Sequence, residues 1–491
     1  MKIIPNNFCL LLLLLLSSAS YPQDSDITQT LYETYWPYRE TSLDKRRIKH
    51  HDLQPLVTEY LKNPRFTVKR VGTSIEGRDL NLISIGRGPV NVFLWSQMHG
   101  DEPTATQAIF DIFNFLKSED LKPEKEAILR NCTLHFLPML NPDGAEVFQR
   151  RNRLGIDINR DALRLQSPEG KTLKRVRDSL EADFGFNLHD QSTYYNAERT
   201  DRPATISYLA PAYNYEKDIN EVRANAMKVI VFMNNIIQQY APGQVGRYDD
   251  AFEPRAFGDN IQKWGTSTIL IESGGYANDV EKQEIRKLNY VSILSAIYSI
   301  ANGNYKDMPL DAYGSIPEND RKLFDLKIKE ATYDLLGKPY LLDVGINRLE
   351  VDKEGNKDFW YSSRIIDQGD LSTYYGYETL DAKGYRIMPG KVYPEVVQSM
   401  QELKAVNTVM LLKAGYTYIR MEKLPEALLE SPVPLNIVGK SFQLPKFTFE
   451  VGVNPTFLLE KDGMFKFAVI NGFLIDLETG KGNFKNAMIY K

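Results

Sequence analysis

Apolar and polar positions keep two different rhythms along this chain. Between residues 66 and 303, short apolar runs alternate with longer stretches in which apolar positions recur every three or four residues. The run 90–95, Val-Asn-Val-Phe-Leu-Trp, predicts a buried strand. Pro103 suits a first helical position, and Ala105, Ala108, Ile109, Ile112, Phe113 and Leu116 then form one helical face. Further strands are predicted at 133–140, 184–188 and 267–271, and further helices at 171–182, 219–239 and 283–300. Strands alternating with helices predict an α/β fold, a mixed central sheet with helices on both faces. After about residue 304, Asp-Gly, Lys-Gly and Thr-Gly turns separate short runs rich in Val, Ile, Tyr and Phe. That texture predicts a mainly β region over 304–491, with one helix near 394–405. Residues 21–65 read as a polar, aromatic lead-in with a helix at 53–61 that packs on the α/β region.

The first twenty residues belong to none of this. Lys2 precedes the nearly pure leucine run 8–16, and Ser17, Ser18, Ala19 and Ser20 are small enough for signal-peptidase cleavage. The expectation is a signal peptide at 1–20 and a secreted or periplasmic protein. The run is short for a bilayer span and no other segment is long and apolar enough, so no stable membrane insertion is expected after cleavage. Cys9 stands at the start of the run, away from the position for lipid attachment at a cleavage-site cysteine. Cleavage leaves Cys132 as the one cysteine, which excludes an intramolecular disulfide and a cysteine-based zinc site. The resulting division is signal peptide 1–20, lead-in 21–65, an α/β domain 66–303 and a β region 304–491. Lysine and arginine number 60 against 64 acidic residues, a net charge of −4, which gives no reason to expect nucleic acid or an anionic membrane as a partner.

With only five histidines in 491 residues, their placement is informative. His99 follows the strand 90–95, and Glu102 lies three residues on, just before the Pro103 helix. A histidine and a carboxylate so close at a strand end can reach one ion together. A catalytic zinc takes three nitrogen or oxygen ligands from the protein and keeps one position for water. His189, ending the strand 184–188, is the natural third ligand. His99, Asn141, His189 and Glu272 all fall at carboxyl ends of predicted strands, the edge of an open α/β sheet where ligands bind. His135, inside a strand, reads as structural. His50 and His51 lie in a basic stretch near Arg46 and Arg47 and read as solvated. There is no His-Glu-x-x-His helix, no Gly-x-Ser-x-Gly elbow and no phosphate-binding glycine loop.

His99-Gly-Asp-Glu102, Asn141-Pro-Asp-Gly144, Gly155-Ile-Asp-Ile-Asn-Arg160, His189 and Ile271-Glu272 occur in an order that resembles the zinc carboxypeptidase family, the carboxypeptidase A/B-like metallopeptidases. The likeness covers about residues 66–303 and is nearest to multidomain bacterial-type secreted members. It implies one zinc ion per chain on His99, Glu102 and His189, with a bound water acidified to a pKa of roughly 7. It also implies Glu272 as general base and Arg150 as the oxyanion partner, with Arg151 and Arg153 as rivals. Asn159 and Arg160 would hold the substrate's terminal carboxylate. Tyr248 is a candidate to cap the substrate, with Tyr213 and Tyr215 as alternatives among 28 tyrosines. Arg255 lies where the family builds its specificity pocket, and it either recognises an acidic side chain or pairs with Asp259. The family's usual Asn-Arg-Asn reads Asn159-Arg160-Asp161 here, so Asp161 is expected to put a negative charge beside the carboxylate site.

The function implied is zinc-dependent hydrolysis of the C-terminal peptide bond of a peptide. The alternatives are a related zinc amidase acting on cell-wall peptide or another amide, and a binding module without catalysis. Glu272 argues against the last, because a binder has no need of a base.

Overall fold

Val92 and Leu94 bury on one face of the strand Val90–Ser96, while Phe93 and Trp95 bury on the other. Side chains of a strand alternate between faces, so the continuous apolar run 92–95 marks a strand covered on both sides. The computed structural model describes residues 24–426, 428–482 and 485–490. The signal peptide read at 1–20 lies outside the described residues. The first unit contains β1 (Phe66–Thr73), β2 (Asp79–Gly86), β3 (Val90–Ser96), β4 (Cys132–Leu137), β5 (Phe184–Asp190), β6 (Asn196–Ala197), β7 (Ile206–Leu209), β8 (Val245–Arg247) and β9 (Ser267–Ser273). All but β6 form one mixed sheet in the order β1-β2-β4-β3-β5-β9-β7-β8. The central run β4-β3-β5-β9 is parallel, and antiparallel pairs flank it.

The unit's helices are α1 (Asp24–Glu33), α2 (His50–Lys62), α3 (Thr104–Lys117), α4 (Lys122–Asn131), α5 (Pro142–Glu146), α6 (Pro168–Leu180), α7 (Glu221–Tyr240), α8 (Phe257–Lys263) and α9 (Gln283–Asn302). Ile109, Ile112, Phe113, Ile230, Met233, Val291 and Leu294 of α3, α7 and α9 fill one face of the sheet, while Leu173, Val176, Phe257 and Ile261 of α6 and α8 fill the other. The lead-in contributes Ile27, Leu31, Tyr35, Tyr38, Leu53, Leu56 and Tyr60 to the first of these cores, so it is built into the layer it packs on. Tyr305, Met308, Tyr313 and Ile316, beyond the boundary read at residue 303, join the same core.

Asp111 of α3 and Arg286 of α9 form a fully buried ion pair inside that layer. Arg286 donates through Nε to Asp111 Oδ2 at 2.7 Å and through Nη2 to the Glu40 carbonyl at 2.9 Å. Asp111 also accepts from Tyr35 Oη at 2.9 Å and Glu40 N at 2.7 Å. A buried pair is tolerated when its remaining donors and acceptors are bonded, and lead-in residues supply those bonds.

The second unit is mainly β. β10 (Asn319–Asp320) pairs with β6, and β11 (Leu323–Leu335), β12 (Lys338–Asp352), β13 (Phe359–Gly369) and β14 (Tyr375–Asp381) open an eight-stranded sheet. A five-stranded sheet comes next, and the hairpin at Asn471-Gly472, both at positive φ, has a two-residue turn. One expectation is corrected. Residues 391–397, including Pro394, form a strand, and the helix is confined to Met400–Ala405. Proline is tolerated because that strand lies at the sheet edge, and Ser399 begins the helix by accepting from Glu402 N.

Candidate metal centre and catalytic cleft

His99 comes one turn after the strand β3, and local backbone geometry sets its position. Gln97, buried at φ 51°, redirects the chain, and Glu102 N closes the turn on the His99 carbonyl at 3.2 Å. Gly100 lies against the backbone of Gly144 and Ala145, where a Cβ would come within 2.1 Å of Gly144 C. Only glycine allows that approach. Asn141 accepts from Gly144 N at 3.0 Å to cap α5, and its amide donates to the Arg150 carbonyl at 3.2 Å. Asn141 therefore lies at the expected sheet edge, but its polar atoms are spent on backbone, and it acts by fixing the Arg150 loop.

His99, Glu102 and His189 converge, all three buried. Glu102 Oε1 lies 2.8 Å from His99 Nδ1, Glu102 Oε2 lies 2.7 Å from His189 Nδ1, and the two Nδ1 atoms are 3.2 Å apart. Ligands held at zinc–nitrogen and zinc–oxygen distances around a tetrahedral centre are roughly 3.3 Å apart, so the spacing suits a small cation. Two imidazoles and one carboxylate are also the donor set of a catalytic zinc. The residues fit zinc.

Asp157 has no role assigned by its sequence position, yet it is the residue that organises this cluster. Its carboxylate takes His99 Nε2 at 3.1 Å, Arg150 Nε at 3.0 Å and Asn159 N at 3.0 Å. A proton on His99 Nε2 leaves Nδ1 free to face a metal. His99 and Arg150 overcome burial to hold the Asp157 carboxyl well below the usual range. Its only sequence signal is an acid inside Ile156-Asp-Ile-Asn-Arg160, and its three partners are visible only in the fold.

Burial pushes His99 down, but Glu102 and Asp157 overcome this and raise it to about 9. Burial keeps His189 low and neutral. The metal-free pocket therefore carries a proton on His99 at neutral pH, and a cation must expel it. Zinc affinity is expected to rise about tenfold per pH unit between pH 6 and 8. Competition with a chelator across that range checks this, and a flat profile would show that no proton is displaced.

Glu272 stands beside His189 in register, on β9 next to β5. It is 9% exposed, and among the described residues nothing donates a hydrogen bond to its carboxylate. Burial, then the charge of Glu102, raises its carboxyl well above the ordinary range. Arg150 reaches the cluster too, its Nη1 lying 3.1 Å from His99 Nδ1. Its rivals turn away, Arg151 to the Gly155 carbonyl and Arg153 to Glu76. Tyr248 lies edge-on to Tyr195, and burial followed by the charge of Glu272 raises its phenol. Tyr215 is 71% exposed and packs on Phe252.

Asn159 Oδ1 accepts from Phe257 N at 2.9 Å. Arg160 is open to solvent, with Nε 3.5 Å from Glu253. Two readings are corrected here. Asp161 puts no charge beside Arg160, because its carboxylate turns inward to Gln166 N, Ser167 N and Ser167 Oγ. Arg255 pairs with Glu253 at 2.9 Å, and Asp259 accepts from Glu253 N instead. A third correction concerns His50, which is half-buried against the Asp79 carbonyl at 3.1 Å rather than solvated. His135 is structural as expected, bonded to Ser84 at 2.8 Å.

Both neighbouring segments hold the cleft. Lys49 Nζ donates to the Ala145 and Glu146 carbonyls at 3.0 and 2.7 Å. The Arg47 guanidinium lies between Phe148 and Phe359 of β13, 4.2 and 4.4 Å from their ring centres. From the β region, Tyr377 donates to the Thr193 carbonyl at 2.6 Å, and Asp325 accepts from Tyr194 at 2.8 Å. A cavity of about 540 Å³ lies in this seam, walled by Tyr194, Tyr276, Arg348 and Tyr361 among others.

Residues 57–235 match the zinc carboxypeptidase family. The curated relatives include carboxypeptidase SOL1 of Arabidopsis thaliana, 26% identical over 221 residues, or 38% of this chain and 45% of the relative. Carboxypeptidase E of Caenorhabditis elegans is 30% identical over 116 residues, 19% of this chain and 25% of the relative. The chain thus spans less than half the length of these relatives. Among solved structures, carboxypeptidase A of Helicoverpa armigera matches with a TM-score of 0.43 at 16% identity, over 57% of this chain and 80% of that one. A metallo-carboxypeptidase of Pseudomonas aeruginosa matches with a TM-score of 0.40 at 20% identity, over 51% and 68%.

Proposed function

We propose, from the match of residues 57–235 to the zinc carboxypeptidase family, that this chain is a metallocarboxypeptidase that hydrolyses the C-terminal peptide bond of peptides. The observation that carries the reading is the buried His99–Glu102–His189 cluster with Glu272 in register beside it. Zinc on those three residues would supply a Lewis acid and an acidified water. Glu272 takes the water's proton and delivers it to the leaving amine. A raised carboxyl pKa suits it for both transfers, because a base near the operating pH can also act as the acid. Arg150, oriented by Asp157, faces the oxygen of the scissile carbonyl as negative charge develops there. Asn159 has its amide nitrogen left to donate once Oδ1 is engaged by Phe257 N. Arg160 binds the terminal carboxylate, and Asp161, turned inward onto Gln166 and Ser167, does not oppose this. Tyr248 closes over the bound residue. Export through the leader at 1–20 completes the reading, and the lone Cys132 of the mature chain is compatible with an oxidising compartment.

A zinc amidase is the second reading, favoured by the pairing of Arg160 with Glu253, which already occupies the guanidinium with a carboxylate. Hydrolysis of a blocked dipeptide, compared with its C-terminally amidated form, separates the two. The carboxypeptidase is expected to cleave the free acid and lose most activity on the amide, with Arg160→Ala raising KM for the free acid about a hundredfold. Equal cleavage of both forms would assign the amidase, and zinc binding without cleavage would assign a binder.

A further inference from the structure

The hairpin of β11 and β12 ends in an exposed apolar tip. Strands β11 and β12 run together to the pair Leu335–Lys338, past the stretch where β14 supports β11. Every residue from 334 to 341 is exposed, with Leu336 at 94%, Leu341 at 64%, Tyr340 at 49% and Leu335 at 48%. The turn itself is Leu336-Gly337, with φ values of 54° and 76°. A two-residue turn of this kind favours asparagine or aspartate before glycine, and a leucine in the left-handed region is strained. Folding thus favours a polar residue at a position that holds the chain's most exposed large apolar side chain among the described residues. Strain of this kind persists where another interaction requires the residue.

The surroundings indicate what that interaction is. The exposed tip 334–341, Asp-Leu-Leu-Gly-Lys-Pro-Tyr-Leu, carries two charges, Asp334, which is paired with Arg386, and the cation Lys338. Tyr340 faces Tyr333 across the ladder, and Tyr333 packs on Phe449 at 5.1 Å and Phe447 at 6.5 Å. Exposed Lys446 adjoins this aromatic base. From the turn inward, Leu336 and Leu335 stand at the end with Lys338 opposite Leu335, Asp334 and Pro339 form the next rung, and Tyr340 and then Leu341 follow. Leucines at the end, a lysine whose long stem can reach back to phosphates and a tyrosine behind them suit the upper acyl and headgroup zones of a bilayer. The tip is too small for a stable protein interface, which engages about 20–30 residues on each side. Among the described residues no helix is long and apolar enough to cross a membrane.

We propose that the hairpin tip 335–341 is a membrane-docking element that dips into the headgroup and upper acyl zone of a lipid bilayer and holds the protein there peripherally. A short tip binds weakly, as a single acyl chain does, so the contact is reversible. The test is co-sedimentation of the full chain with vesicles of equal parts phosphatidylcholine and phosphatidylglycerol, wild type beside Leu336→Asp/Leu341→Asp. Both positions are exposed, so thermal unfolding and hydrolysis of a soluble peptide should not change. The wild type is expected to sediment with vesicles and the double variant to bind at least about tenfold more weakly. Leu336→Trp should shift its fluorescence to the blue on vesicles. Equal binding by both proteins, or no binding by the wild type, overturns the proposal. So does a wild-type dimer without vesicle binding that the double variant abolishes, which would assign the tip to a second copy.

Discussion

Glu272→Gln is expected to keep its zinc and lose between a hundredfold and ten-thousandfold in kcat, the usual range for a displaced general base. The side chain keeps its shape, and the strand pairing of β9 with β5 and β7 involves only backbone. No hydrogen bond from the described residues depends on the carboxylate. An ionised carboxylate in this setting is disfavoured by burial and by Glu102, so the amide should leave the unfolding midpoint equal or higher. Lost activity with equal or greater stability is the pattern of a residue kept for chemistry at some cost to the fold. Metal analysis, single-turnover hydrolysis and thermal unfolding on the same samples check all three parts. Undiminished hydrolysis would remove Glu272 from the mechanism. Lost zinc would move it to the metal site.

Arg286→Ala should destabilise the first unit by about 3–5 kcal/mol, because it leaves Asp111 charged and buried without its partner. The consequence reaches far along the chain. Arg286 holds the Leu43 and Glu40 carbonyls, and Asp111 holds Tyr35 and Glu40 N. The lead-in should loosen before the sheet does, and proteolysis near residues 35–45 should report it before global unfolding. Replacing both partners by apolar residues of similar size is expected to cost less than replacing either one. Denaturant unfolding of the two single variants and the double variant measures this coupling. A single-variant loss below about 1 kcal/mol would mean that water reaches the pair.

The two predictions rest on different kinds of information. Glu272 could be nominated from the sequence because its position is local. An apolar strand ends, a carboxylate comes next, and glycines turn the chain away. His99 and Glu102 share one turn, and the helix after them is set by periodicity and a proline. Local geometry requires little knowledge of the rest of the chain, which is why the α/β alternation and the strand-end site were legible. Residue types also limited the chemistry, since five histidines and two cysteines leave few ways to bind a metal.

What the sequence could not provide were the partners of polar groups. Asp157, Asp161, Glu253 and Asp259 are four carboxylates in a similar neighbourhood. One organises the metal cluster, one holds the helix-capping Ser167 in place, one pairs two arginines and one accepts a backbone amide. A carboxylate's role depends on the donors within about 3 Å of it, and those donors come from segments tens to hundreds of residues away. The same reason separates Arg150 from Arg151 and Arg153, and it hides the lead-in's contribution to the core. Periodicity marked a buried face but not the layer it would complete. The sequence by itself determined the α/β alternation, the strand-end cluster and the zinc-suited donor set, because each is written in neighbouring residues. Only the tertiary structure decided which charges face the cleft, which are spent holding it, and how the lead-in and the β region close around it, because those outcomes depend on long-range packing that sets each group's solvation and partners.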